Sequence, residues 1–384
     1  MDQTKIQQIL ITILHSTVNG VALSDTDKLQ ITPELFASVY LLAKKHDMAH
    51  VLAEFLYQNQ ITVPRDLQAR LQQEAFLTAY RLEQLKYTFG EICRTFEEAE
   101  IGYVPLKGSV IRPFYPQESM RTSCDIDILI HEEALEKAIS SLTAKGYQCG
   151  KRNYHDVSLY APNKVHLELH FNILESMDQL DIVLKHAWEH AVPENGTRYG
   201  FSEEFFAFHM FAHMAYHFVH GGCGIRSLLD IWVMEHKMNI PYSCAKKLLK
   251  KAGIYQFAAE MSKLAELCFT ENDSAVFSDP VLKYIFQGGV YGSMENHIAV
   301  TKTRNKSSLI YAIKRIFLPY KSMTITYPVL KKAPYLLPFC WVARWIRLLR
   351  GGKTRQMMTE MTCATNISDE RIQEVAAIRS RLGL

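Results

Sequence analysis

The sequence predicts an α+β protein: a small mixed sheet with helices, embedded between helical N- and C-terminal regions. Three observations lead there. Apolar residues recur at steps of three and four over the first hundred residues. The pattern changes to short apolar runs and strict alternation from 101 to about 175, and helical periodicity returns from about 178. On this reading the chain divides into a helical region at 1–100, a sheet domain at 101–175, a helical domain completing a cleft at 176–295, and a basic helical region at 296–384. Its 384 residues are enough for two or three domains.

The N-terminal run "MDQTKIQQILITILHS" predicts an amphipathic helix. It lacks the basic leader and small-residue cleavage site of a signal peptide. Leu82, Leu85, Phe89, Ile92 and Phe96 form one helical stripe; the acidic "FEEAE" is its solvated last turn, and Gly102 breaks it. "IGYVPL" is too brief for a helix and "DIDILI" is rich in isoleucine, so both read as strands. "EEALEKAISSLTAKG" is a helix with Ala134, Leu135, Ala138, Ile139 and Leu142 on one face and Gly146 as its stop. "DVSLYA" and "KVHLELHF", separated by "PN", are two further strands. Helices are then expected at 178–190, 203–219, 225–237, 242–251, 255–269 and 369–382. No window holds about 18 uninterrupted apolar residues, so no transmembrane helix is expected.

The 48% apolar fraction supports an ordinary packed core, and a net charge of +3 does not by itself demand a nucleic-acid partner. The eight cysteines are scattered without a C-x-x-C pair, which fits reduced thiols in a cytoplasmic protein better than a disulfide frame or a zinc ribbon.

The chemistry concentrates between 106 and 170. On a strand, residues i and i+2 share a face, so Asp125, Asp127 and Leu129 face one way, and Ile126, Ile128 and Ile130 anchor the other face in the core. Two like charges about 4 Å apart repel by about 4 kcal/mol at an effective dielectric of 20. A purely structural strand offers nothing against that cost, whereas a hard divalent cation such as Mg²⁺ prefers carboxylate oxygens. "KVHLELHF" repeats the pattern: Val165, Leu167, Leu169 and Phe171 are its apolar face, and His166, Glu168 and His170 its polar face. Paired beside "DIDILI", it brings Glu168 to the same place as a third carboxylate, and three acids can hold two Mg²⁺ ions around a phosphoryl displacement. Gly108 follows the strand "YVPL" and precedes a short helix near Ser109, a corner suited to phosphate, with Lys107 and Arg121 as further cations.

At these residues the sequence resembles the nucleotidyltransferase superfamily of the DNA polymerase β type, with its Gly-Ser then Asp-x-Asp order. More closely it is similar to the bacterial family of uncharacterised nucleotidyltransferases, in Lys107-Gly108, Tyr115-Pro116, Arg121, Asp125-Ile126-Asp127 and Glu168-Leu169-His170. A helical lead-in, a His-rich helix, an "LLD" segment and a late "YLLP" extend the likeness over about residues 35–350. The resemblance implies a polymerase-β-like sheet domain. It also implies Asp125, Asp127 and Glu168 as metal ligands, Gly108 and Ser109 on the nucleotide phosphates, Mg²⁺ and an NTP co-substrate. Cys124 stands where a small glycine is expected, and the Gly108-to-Asp125 connection is longer than in minimal superfamily members.

Two features lie outside that core pattern. His209, His213 and His217 fall at steps of four on one helix, with His220 close behind. They read as a zinc site, as hydrogen-bonded core histidines, or as cleft contacts to nucleotide or acceptor, as does His170. Arg226 and Asp230 are one helical turn apart and can pair, leaving Asp230 either structural or a base toward an acceptor hydroxyl. Residues 296–359 hold thirteen Lys or Arg and no Asp or Glu. That stretch suits an interfacial helix, an intramolecular partner for acidic faces, or a basic rim for a polyanion. The leading function is Mg²⁺-dependent transfer of an NMP from an NTP to an acceptor hydroxyl or phosphate, the acceptor being a small molecule, sugar, tRNA or protein. A toxin-like or regulatory transferase acting on tRNA or protein is one alternative, and a non-catalytic nucleotide-binding module another.

Overall fold

The computed structural model describes residues 3–24, 28, 31–290, 292–304, 316–350, 359, 362–363 and 366–384. Helices α1 (Gln3–Asn19), α2 (Pro33–Lys45) and α3 (Val51–Asn59) lead into the long α4 (Arg65–Glu98). Thr32 caps α2, its hydroxyl accepting from the Leu35 amide, with Pro33 at the first helical position. At 34 residues α4 is about 51 Å long. Only its second half, through Leu85, Ile92 and Phe96, reaches the sheet core.

The sheet domain follows as β1 (Tyr103–Pro105), the one-turn α5 (Gly108–Ile111), β2 (Asp125–Ile130), α6 (Leu135–Ala144), β3 (Gln148–Arg152), β4 (Asp156–Tyr160) and β5 (His166–His170). After α7 (Asp178–Leu184) the chain returns to the sheet as a hairpin, β6 (Ala191–Asn195) and β7 (Arg198–Phe201). Among the described residues seven strands form one sheet, in the order β3-β4-β5-β2-β1-β7-β6. β2 runs parallel to β5 and antiparallel to β1, and β1 is parallel to β7. The fold is therefore α+β with a mixed sheet, as expected, but the sheet extends past residue 175. The hairpin fills the connection between the helices expected at 178–190 and 203–219, where no strand was expected; its signal was the turn "ENGT", in which Gly196 takes φ +56. The expected helix at 178–190 is correspondingly cut to α7 and a short 3-10 turn at Ala187–His190.

The remaining helices are α8 (Glu203–Val219), α9 (Ile225–His236), α10 (Lys246–Lys251), α11 (Tyr255–Phe269), α12 (Pro280–Gly288), α13 (Met294–Arg304), α14 (Tyr320–Thr326), α15 (Leu337–Arg350) and α16 (Asp369–Leu382). Four of the helices read from periodicity, at 203–219, 225–237, 255–269 and 369–382, agree with these to within a residue.

One face of the sheet, through Ile126, Ile128, Ile130, Leu167 and Leu169, packs on α4 and α6 in a core of its own. Leu129 and Val104 face the other way, into the large helical core that contains α1, α8, α9 and α11. Asp125 and Asp127 share Leu129's side, so the alternation of "DIDILI" points both carboxylates toward the helices. The long connection from α5 to β2 is held by a buried cluster. Asp230 of α9 receives the Arg121 Nε at 2.7 Å and the Tyr115 hydroxyl at 2.6 Å. Beside it Arg226 bonds Asp47 at 2.9 Å and Thr122 at 3.1 Å. The expected pairing of Arg226 with Asp230 is thus replaced by two pairings to other elements, because both α9 side chains project into the connection rather than along the helix surface.

This cluster sets a stability prediction. Asp230→Ala leaves the Arg121 guanidinium buried and unpaired, and urea denaturation should show a loss of about 3–5 kcal/mol. Tyr115→Phe removes one hydrogen bond to a charged acceptor and should lose about 1.5–3 kcal/mol. An Asp230→Ala variant within about 1 kcal/mol of wild type rules out the clamp.

Candidate active site

Parallel pairing of β2 with β5 sets Asp125 opposite His166 and Asp127 opposite Glu168. Glu168 therefore meets the aspartate pair, as the alternation in the two strands required. Potential ligand atoms of Asp125, His166 and Glu168, and of Asp127, Glu168 and His170, lie within 4.8 Å of one another in each group. Asp127 is the most enclosed of the acids: its Oδ1 accepts from Lys107 Nζ at 3.1 Å and meets His170 Nε2 at 3.0 Å. Glu168 Oε2 lies 3.6 Å from the same His170 nitrogen.

The three carboxyls have different proton affinities. Burial alone would raise the Asp127 carboxyl, but Lys107 and the His170 hydrogen bond overcome it and hold Asp127 far below the ordinary carboxylate range. Asp125 is pushed up by burial and by the neighbouring charge of Asp127. Glu168 is pushed up by burial and by both aspartates. Asp127 is thus the acid most favoured in its ionised form, while at Asp125 and Glu168 burial and like charge outweigh the nearby cations.

The glycine corner lies where expected, next to the acids, but its chemistry differs from expectation. The residue in unusual backbone conformation is Lys107, at φ 44 and ψ −114, and not Gly108. A Cβ at Gly108 would meet Arg112, Arg121 and Ser123 at ordinary contact distances of 3.5–3.7 Å. The Ser109 amide is committed to the Leu106 carbonyl at 3.1 Å, so Ser109 offers its hydroxyl. With only four residues in α5, the macrodipole is small, and Lys107 is the main positive charge. Arg121 reaches the cavity wall with its Nε on Asp230 and its Nη1 on the Thr122 carbonyl.

A cavity of about 340 Å³ joins these parts. Its floor is Lys107, Gly108, Ser109, Asp125, Asp127, Glu168 and His170, and α8 forms the opposite wall with His209, His213 and His217. His213 Nδ1 bonds Glu175 Oε1 at 2.8 Å, and its Nε2 lies 3.1 Å from His217 Nε2. Glu175 can only accept, so it fixes His213 as the Nδ1–H tautomer with its Nε2 accepting from His217. Burial, with Lys107 as a further cation, lowers His213 well below the ordinary histidine range; burial and the His213 neighbour bring His217 down to about 3. His209 is buried among core residues, also lowered to about 3, while His220 bonds the Tyr216 carbonyl and faces solvent. Arg226 and Asp230 also line the cavity, through the pairings described above.

The sequence reading passed over Glu175, His155 and Tyr154, which also line the cavity. Glu175 and Tyr154 lie in loops beyond strand ends, and His155 directly precedes β4, so no periodicity marked any of them. His166, on the polar face of β5 beside Glu168, has an Nε2 that is buried without a hydrogen-bond partner beside two carboxylates.

The sequence profile of the family described as "Uncharacterised nucleotidyltransferase" matches residues 34–270, from α2 through the sheet and the histidine helix to the end of α11. No match was found among curated proteins or among solved structures. The matched span covers more than half of the chain and includes all of the cavity residues named above, so the chain belongs to the family of uncharacterised nucleotidyltransferases.

Proposed function

We propose that the chain is a Mg²⁺-dependent nucleotidyltransferase that moves an NMP from an NTP to an acceptor hydroxyl or phosphate oxygen and releases pyrophosphate. The observation that carries this reading is the β2–β5 register, which sets Asp125, Asp127 and Glu168 on one face beside Lys107 and the Gly108 corner. The donor set fits a hard cation: three carboxylates face one lysine, and the partners of Asp127 occupy only its Oδ1. Asp125, Asp127 and Glu168 would hold Mg²⁺, with two ions expected from three acids, and His166 stands beside them. When bound, Mg²⁺ neutralises triphosphate charge and stabilises the departing pyrophosphate.

In this reading Lys107 and the Ser109 hydroxyl hold phosphate oxygens, and the cavity walls exclude bulk water. The acceptor oxygen forms its bond to the α-phosphorus as the bond to the pyrophosphate oxygen breaks. His217 and His213 lie across the cavity from the acids, with Glu175 at the end of the row. His217 would take the acceptor's proton at Nδ1 as its Nε2–H passes to His213 Nε2, with the Glu175 carboxylate offsetting the burial that disfavours charge on this row. A non-catalytic binding module has no need of all three acids, and this chain keeps them. The acceptor's class is open to direct search by labelling.

Incubation of the chain with each labelled NTP, Mg²⁺ and a cell extract should label one acceptor class. Asp125→Asn with Asp127→Asn should remove that labelling, and equal labelling by both proteins rules out the assigned site. His213→Ala should lower transfer by about 10²–10⁴-fold and leave the Mg²⁺-induced rise in melting temperature intact. Unchanged transfer removes the histidine row from the reaction.

The raised acids give a pH-dependent stability. A carboxyl whose folded pKa lies above its unfolded value costs stability when ionised; the cost is absent below the unfolded value of 3.8 for Asp125 and complete above its folded value. Without divalent ions, Asp125→Asn should raise the melting temperature at about pH 8, the gain shrinking toward about pH 4. Mg²⁺ should raise the melting temperature of the wild type and leave the double variant unmoved. An Asp125→Asn variant less stable than wild type at neutral pH contradicts this account.

A further inference from the structure

The basic stretch at 296–359 is not used by the transfer site. Of the chain's 43 Lys and Arg, thirteen fall there with no Asp or Glu, which leaves 30 against 40 acidic residues elsewhere. Lys306, Lys314, Arg315, Lys353 and Arg355 lie outside the described residues. Within the described part, residues around α14 and α15 form a small core of their own, with Met323, Leu330 and Cys340 buried and Trp341 packed against them. This core takes one face of α15. Opposite it, Phe339, Val342 and Ile346 fall at steps of three and four and are 71%, 59% and 45% exposed. Tyr335, 77% exposed, lies one turn before Phe339. Lys331, Lys332 and Arg347 are exposed, and none of the described ion pairs joins them to a carboxylate.

We propose that α15 and the segment before it are a membrane-surface site that docks the protein on an anionic lipid bilayer. Charge complementarity selects an anionic partner, since this segment carries positive charge alone. The apolar stripe selects a bilayer among anionic partners: phenylalanine, valine and isoleucine gain by leaving water for acyl chains, and a phosphate backbone gives them nothing comparable. Tyr335, exposed just before the stripe, suits the headgroup region. The helix lies on the surface and does not cross it. Its 14 residues reach about 21 Å against a hydrocarbon core of about 30 Å. Among the described residues no helix is long and apolar enough to span a membrane.

The test is co-sedimentation of the full chain with phosphatidylcholine vesicles, with and without phosphatidylglycerol, at low and high salt. Wild type should sediment with the mixed vesicles, weaken with salt, and leave pure phosphatidylcholine vesicles unbound. Two triple variants, Phe339→Ser with Val342→Ser and Ile346→Ser, and Lys331→Glu with Lys332→Glu and Arg347→Glu, should each reduce partitioning by at least about tenfold. Both change exposed side chains, so melting temperatures should stay within a few degrees of wild type and show that the variants fold. Failure of wild type to sediment with the anionic vesicles overturns the proposal. So does binding that the serine variant leaves unchanged, and so does vesicle binding abolished by competing RNA that the serine variant also retains, which marks a nucleic-acid surface.

Discussion

The site rests on one buried carboxylate. Asp127 sits on the central strand, where burial favours the protonated acid by several kcal/mol in an unpaired group. Lys107 and His170 reverse that preference through one oxygen. Lys107 reaches Asp127 from a backbone turn with φ 44 and ψ −114, a conformation that costs a non-glycine residue about 1–3 kcal/mol. The turn in question is the corner that ends β1 and begins α5. The ion pair, the strained corner and the placement of Ser109 are therefore one arrangement, and a change at any of them moves the others.

From Asp127 the constraint spreads through the register. A slip of one residue between β2 and β5 would exchange the acid faces for the isoleucine and leucine faces, putting carboxylates into the core beneath α4 and α6. The apolar residues that fix the register thus fix the distances among the acids. On the opposite side Asp230, Arg121 and Tyr115 tie the connection before β2 to α9. This is where the protein spends buried charge for position: Arg121 is committed to shape, and Lys107 is left as the cation facing the cavity.

What was legible in the sequence follows from which signals are local. Alternation in "DIDILI" and "KVHLELHF" gave the acid faces, and the pairing of those two strands was the one nonlocal step needed. Helices with strong stripes, such as α8 and α11, were readable for the same reason. The hairpin of β6 and β7 was not read, because "AVPEN" and "RYGF" are too short and mixed to alternate and only the Asn195-Gly196 turn marked them. The partners of Arg226 and Asp230 were misassigned since a spacing of four residues shows what can meet on one helix, and says nothing of a better partner arriving from another element. Glu175 was invisible for a related cause: its role exists only once α8 brings His213 to it.

The division of charge along the chain completes the physical account. Outside 296–359 acidic residues exceed basic ones by 40 to 30, while that stretch is wholly basic. Before an anionic surface, such a chain feels attraction at one end and repulsion over the rest, so electrostatics orients it before any contact forms. The exposed stripe on α15 would then be presented first, and the acidic remainder, with the cavity, would be held away from the headgroups. On the proposed transfer reading, an acidic site would disfavour a bare triphosphate, and a cation held among Asp125, Asp127 and Glu168 would remove that penalty. On the two proposals together, the raised acids and the segregated basic segment would answer the same problem, bringing anionic partners to a protein that is negative outside 296–359.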